Sequence, residues 1–161
     1  MSAAGPSRLS QSAESAAKGA RPRFRLTHPD PDEDQLHETV ANLLDGILLP
    51  PTQWTTMPAG GYALSASAAA RLARIGLKPS WPDIQIIHDG RFHGIELKTR
   101  TGVLSKSREV RTRWGGTKTV MGQVEMLRAL EAAGARVAVC RTVDEVLYEL
   151  KRWQIPTRVR L

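Results

Sequence analysis

A single cysteine in 161 residues, Cys140, excludes an intramolecular disulfide framework and a cysteine-based zinc finger. Aromatic residues are also scarce, at 5%. No apolar run approaches the roughly 18–20 residues needed to cross a bilayer. The first thirty residues are rich in Ser, Ala, Gly and Arg but lack the apolar h-region of a signal peptide. There is no internal repeat and no Walker-type phosphate loop, so a nucleotide cofactor is not expected. These absences predict a soluble intracellular protein with no membrane partner.

What is present is a chain of one-domain length, 41% hydrophobic and therefore able to bury a core. A formal charge of +7 and a pI near 10.2 favour a polyanionic partner, of which nucleic acid is the commonest. From Lys98 to Lys118 there are seven basic residues (Lys98, Arg100, Lys106, Arg108, Arg111, Arg113 and Lys118) against one acid, Glu109. Asp30 to Asp45 holds six acids and no Lys or Arg. The first segment suits phosphates; the second suits cations. The Ala- and Arg-rich composition fits a GC-rich genome, hence the cytoplasm of a bacterial or phage-infected cell.

Residues 1–30 read as a flexible basic tail ending in the turn-forming run Pro29-Asp30-Pro31-Asp32, and residues 156–161 as a short basic C-terminal tail. Between them, 31–155 read as one domain. Leu36, Val40, Leu43, Leu44 and Ile47 form an amphipathic stripe that predicts a helix over 32–48, stopped by Pro50-Pro51. A strand over 53–57, a loop at Pro58-Ala59-Gly60-Gly61 and a helix over 65–75 follow. Two strands, 83–88 and 91–99, flank Asp89-Gly90, the dipeptide of a two-residue hairpin turn. A helix over 120–133 is expected from the spacing of Val120, Val124, Leu127 and Leu130. A buried strand at 136–140 and a helix from Thr142 to about Trp153 complete the pattern. The order α-β-α-β-β-α-β-α predicts an α/β fold with a mixed sheet flanked by helices.

The hairpin places charge where a sheet resists it. With Asp89-Gly90 as the loop, His88 pairs with Arg91, Ile87 with Phe92, and Asp83 falls opposite Glu96. Lys98 lies on the same face, two residues on. Opposed carboxylates repel unless a positive charge sits between them, and a divalent cation with oxygen ligands is the natural occupant. Ile84, Ile95 and Leu97 point to the other face, into the core. A bulge near Gly94 would shift this register. The plainer alternative is a solvated strand end carrying surface ion pairs.

These residues match a family. Trp81-Pro82-Asp83 followed by Glu96-Leu97-Lys98 resembles the PD-(D/E)XK nuclease signature, and the wider context resembles its VRR-NUC (virus-type replication-repair nuclease) branch. That context comprises Gly60-Gly61, the run from Gly76 to Asp83, and Glu96 to Thr99 leading to Gly102-Val103-Leu104-Ser105. It continues with Gln123, the run Gly134 to Val139, and Val143-Asp144-Glu145. It spans about residues 32 to 153. Trp81, in a slot that usually holds a small or aliphatic residue, and a long spacer from Ser105 to Gln123 depart from it.

The resemblance implies a restriction-endonuclease-like fold in which Asp83, Glu96 and the Leu97 main-chain carbonyl hold Mg²⁺ or Mn²⁺. Lys98 would orient or help deprotonate the attacking water. The family often adds a helix-one acid. On a helical wheel Glu33 lies roughly 40° from the centre of the apolar stripe and Glu38 roughly 180° away, so Glu33 is the candidate, with His37 as neighbour. Its alternative is an acid favoured by the helix dipole. Gln123 borders the next stripe and would touch metal-bound water or phosphate; a surface glutamine is the alternative.

Arg100, Lys106, Arg108, Arg111, Arg113 and Lys118 are candidate phosphate contacts. Trp114, beside Gly115-Gly116, would stack on a base or anchor its loop. His88 and His93 are expected to be structural and Cys140 to be core. The implied function is a metal-dependent DNA endonuclease acting on branched substrates such as four-way junctions or flaps, as a homodimer. A non-catalytic nucleic-acid-binding protein using the same basic surface is the alternative. A subunit whose partner supplies specificity is also compatible with the nuclease chemistry.

Overall fold

A computed structural model describes residues 32–57, 65–112 and 114–160. The N-terminal tail, Gly60-Gly61 and Arg113 therefore lie outside the described residues.

Helix α1 (Glu33–Ile47) starts on a capping box: the Asp32 carboxylate accepts from Gln35 N, and the Gln35 side chain accepts from Asp32 N. Its stripe of Leu36, Val40, Leu44 and Ile47 is buried. Strand β1 (Gln53–Thr56) and helix α2 (Ala66–Arg74) follow, then β2 (Ile84–His88) and β3 (Arg91–Leu97). The sheet runs β1-β2-β3-β6, with β6 (Arg136–Cys140) parallel to β3 and the other pairs antiparallel. Helix α3 (Gln123–Ala132) precedes β6, and α4 (Val143–Arg152), capped by the Thr142 hydroxyl, follows it. The chain is mixed α/β, a mixed sheet flanked by helices. Among the described residues no helix is long and apolar enough to cross a membrane.

One core cluster joins α1, the Ile84, Ile86, Ile95 and Leu97 face of the sheet, Cys140, and Val146 and Leu150 of α4. His93 is buried on this face, its ring 5.2 Å from that of Trp153. Helix α3 contacts β6, and its buried Met126 and Leu127 lie outside that cluster. That puts α3 over the opposite face, where strand alternation also directs Glu96.

One expectation needs correction. The basic segment contains an extra hairpin, β4 (Arg108–Arg111) paired with β5 (Thr117–Val120) as a separate two-stranded sheet. Val120 accordingly belongs to β5, and α3 begins at Gln123. The C-terminal segment is also engaged at its start: Leu48 bridges Thr157, and Arg158 N donates to Ile47 O at 2.8 Å.

Candidate active site

The β2–β3 register is the one the turn dictates. His88 pairs with Arg91, Ile87 with Phe92, Gln85 with Gly94 and Ile84 with Ile95, without a bulge. Asp89 and Gly90 both have positive φ, at 50° and 68°, as a type I′ turn requires. Gly94 answers a steric demand: a Cβ there would stand 2.7 Å from the Pro82 ring. Pro82 thus lies directly on β3 and delivers Asp83 to the end of the sheet. There Asp83 Oδ2 accepts from Leu97 N at 2.8 Å. The Asp83 carbonyl accepts from Met57 N and from the Thr56 hydroxyl, which also meets His37 Nε2 at 2.8 Å.

Glu96 has no exposed surface. Its Oε1 is 2.8 Å from Lys98 Nζ and accepts from Gln123 Nε2, whereas Oε2 is buried with no hydrogen-bond partner. Lys98 Nζ also lies 3.1 Å from Glu33 Oε1. Gln123 is held in turn, its Oε1 accepting from Ser105 N at 3.0 Å and its own N–H donating to Ser105 Oγ. The structure therefore gathers Asp83, Glu96, Lys98, Glu33 and Gln123 in one place. Glu38 is exposed elsewhere on α1.

The electrostatics follow from burial. Desolvation, and then the charge of Asp83, push the Glu96 carboxyl up to about 7, against the lowering effect of Lys98. Desolvation also raises Asp83, opposed by the Leu97 N–H and by Lys98. For Lys98 desolvation acts downward, but Glu96 and Glu33 outweigh it and hold the ammonium above its ordinary value. In this arrangement Lys98 is a fixed cation between Glu96 and Glu33.

Among the described residues no group of three or more His, Cys, Asp and Glu side chains forms a metal cage. The expected donor set is Asp83, Glu96 and the Leu97 carbonyl, with the helix-one acid Glu33 as an optional addition; Glu33 is instead engaged with Lys98. The buried, unpartnered Glu96 Oε2 fits a hard cation, since an anionic oxygen removed from water needs a positive partner.

Of the expected phosphate contacts, Arg100, Lys106, Arg108, Arg111 and Lys118 are all exposed. The sequence reading missed Arg141, whose guanidinium donates to Thr99 O at 2.6 Å and Gly102 O at 2.9 Å. It thereby fixes the turn that follows Lys98. It also missed Glu125, which accepts from both the N–H and the hydroxyl of Ser107 at the root of the β4–β5 hairpin. Neither carries a spacing signal, because each contact joins segments far apart in sequence. His88 Nδ1 meets Thr52 Oγ1 at 2.9 Å, and His93 packs against Trp153 on the core face. Cys140 is fully buried. A separate cleft of about 560 Å³, lined by Leu36, Thr39, Arg100, Arg141 and the start of α4, contains none of the five gathered residues.

Comparison with known proteins returned no match: no family model, no curated protein and no solved structure is significantly similar to the chain.

Proposed function

We propose that this protein is a divalent-metal-dependent nuclease that hydrolyses phosphodiester bonds in DNA, with a restriction-endonuclease-like arrangement of the VRR-NUC type. The observation that carries the reading is Glu96, a fully buried carboxylate set beside Asp83 with one oxygen lacking a partner. A protein that only bound DNA would gain nothing from two such acids next to a phosphate surface.

Asp83, Glu96 and the Leu97 carbonyl would hold Mg²⁺ or Mn²⁺. When bound, the ion supplies Lewis-acid polarisation of the scissile phosphate and a more acidic water. This chain's own side chains position the rest. Gln123 and Lys98 both hold Oε1 of Glu96, leaving Oε2 open for the ion. Glu33 and Glu96 pin the Lys98 ammonium from two sides, where it would orient the attacking water and offset charge gathering on the phosphate. Water attacks phosphorus and the bridging P–O bond breaks, without a covalent enzyme intermediate. The exposed basic residues from Arg100 to Lys118 contact the DNA backbone.

The sequence resemblance supports branched DNA as substrate and a two-fold dimer that sets two sites on opposing strands. Cleavage of a labelled four-way junction beside linear duplex and single strands tests this, with Mg²⁺, Mn²⁺ or EDTA. Metal-dependent cutting of the junction, absent in Glu96→Ala, is expected. Salt-sensitive binding with no cutting of any substrate would favour a binding protein.

A further inference from the structure

The long spacer between Ser105 and Gln123 is not slack. It is folded into the β4–β5 hairpin, and its root is clamped to the candidate site. Ser105 exchanges hydrogen bonds with Gln123, which itself bonds Glu96. Ser107 is held by Glu125, and its hydroxyl accepts from Gly122 N. Gly122 lies so close to the opposite strand that a Cβ would stand 2.3 Å from the Lys106 carbonyl carbon. The two strands therefore leave the root with a fixed direction.

Beyond that root the hairpin has little of a core. Every residue of β4 is exposed, as are Thr117, Lys118 and Thr119. The register pairs Arg108 with Val120 and Val110 with Lys118, so alternation sets these four on one face. Glu109, the acid of the hairpin, faces the other way with Arg111, Thr117 and Thr119. One face is thus cationic and apolar, without an acid. The tip is closed by Thr112 N donating to Gly116 O and by Thr112 Oγ1 bonding both Gly116 O and Gly116 N. On this closed turn Trp114 is 89% exposed. Burying a tryptophan is strongly favourable, so its presentation to solvent on a built turn marks a contact surface.

We infer that the hairpin is a DNA-probing arm, and that Trp114 at its tip stacks on an unpaired base where strands separate. This rests on the proposed DNA substrate and names the feature of it that the protein recognises. At about 3.3 Å per residue, five residues from root to tip span roughly 17 Å, about half a turn of duplex. The stacked base and the scissile phosphate then belong to one local region of a branched or forked substrate. The cationic face supplies sequence-independent phosphate contacts along the arm, and the indole supplies the preference for an unstacked base.

The test is binding in EDTA, so it does not depend on cleavage. Anisotropy of a labelled fork with single-stranded arms is compared with that of a blunt duplex for wild type, Trp114→Ala, Trp114→Phe and Lys118→Ala. We expect Trp114→Ala to weaken fork binding by roughly 5- to 100-fold while changing duplex binding less than about twofold. Trp114→Phe should restore most of the loss, and Lys118→Ala should weaken both DNAs alike. Wild type binding the fork no tighter than the duplex would overturn the inference. So would Trp114→Ala affecting both DNAs equally, or neither. Trp114-dependent fork binding in a protein that never cuts would keep the arm and defeat the nuclease reading.

Discussion

A carboxylate with no exposed surface, beside a second carboxylate and with one oxygen unpartnered, is costly as an anion even with Lys98 paired to its other oxygen. The Glu96 carboxyl sits at about 7, against an ordinary 4.5, so between those values the folded protein holds a proton that the unfolded chain has released. Stability is then full below about 4.5 and is lost as the pH rises through about 7. Urea denaturation of metal-free protein should show a loss on the order of 1–3 kcal/mol across that window, and Glu96→Gln should flatten it. Mg²⁺ or Mn²⁺ should restore the loss in wild type. Equal midpoints at both ends of the window would contradict the buried-anion account. The positioning residues give a second test. Glu33→Gln frees one side of Lys98, and Gln123→Ala releases both Glu96 and Ser105. Each should lower the cleavage rate roughly 10- to 100-fold with DNA affinity little changed. An equal loss of affinity would assign these residues to substrate binding instead.

The β2–β3 hairpin shows what sequence can specify. Asp89-Gly90 fixed the turn, the turn fixed the register through Ile84 and Ile95, and Asp83 follows at the strand end with its carboxylate on Leu97 N. The α1 stripe was legible for the same reason: its buried residues recur at helical spacing, and Glu33 borders them. The β4–β5 hairpin was not legible. With almost every side chain exposed it has no buried face to impose a two-residue alternation, and its Val120 fitted the α3 spacing just as well. The pairing of Ser105 with Gln123 was hidden too, because it depends on that hairpin folding the spacer away. Gly94 offers a test at this scale. Gly94→Ala drives a methyl into the rigid Pro82 ring, one residue before Asp83. Overpacking of this kind should cost about 1–3 kcal/mol in urea denaturation. Cleavage should fall further than stability accounts for, because Asp83 moves. Unchanged stability would mean that Pro82 is not seated on β3.

Across the whole molecule, charge is divided between an acid-lined centre and a basic surface. The +7 net charge and the exposed Arg100, Lys106, Arg108, Arg111 and Lys118 predict DNA binding that weakens steeply with salt. Replacing Arg108 or Lys118 by Ala should lower the slope of log affinity against log salt by about one each, on any DNA sequence. A slope unmoved by either change would place the phosphates elsewhere. The central claim joins both halves of the molecule: the basic surface brings a phosphodiester to a metal held by Asp83 and Glu96. Its most direct measurement is cleavage of a labelled four-way junction by wild type and Glu96→Ala side by side, with Mg²⁺, Mn²⁺ or EDTA. Cutting by wild type that needs the metal and vanishes in the variant, while both proteins bind the junction, is the predicted result. Cutting that persists in Glu96→Ala, or a wild type that binds the junction and never cuts it with either metal, would contradict the account.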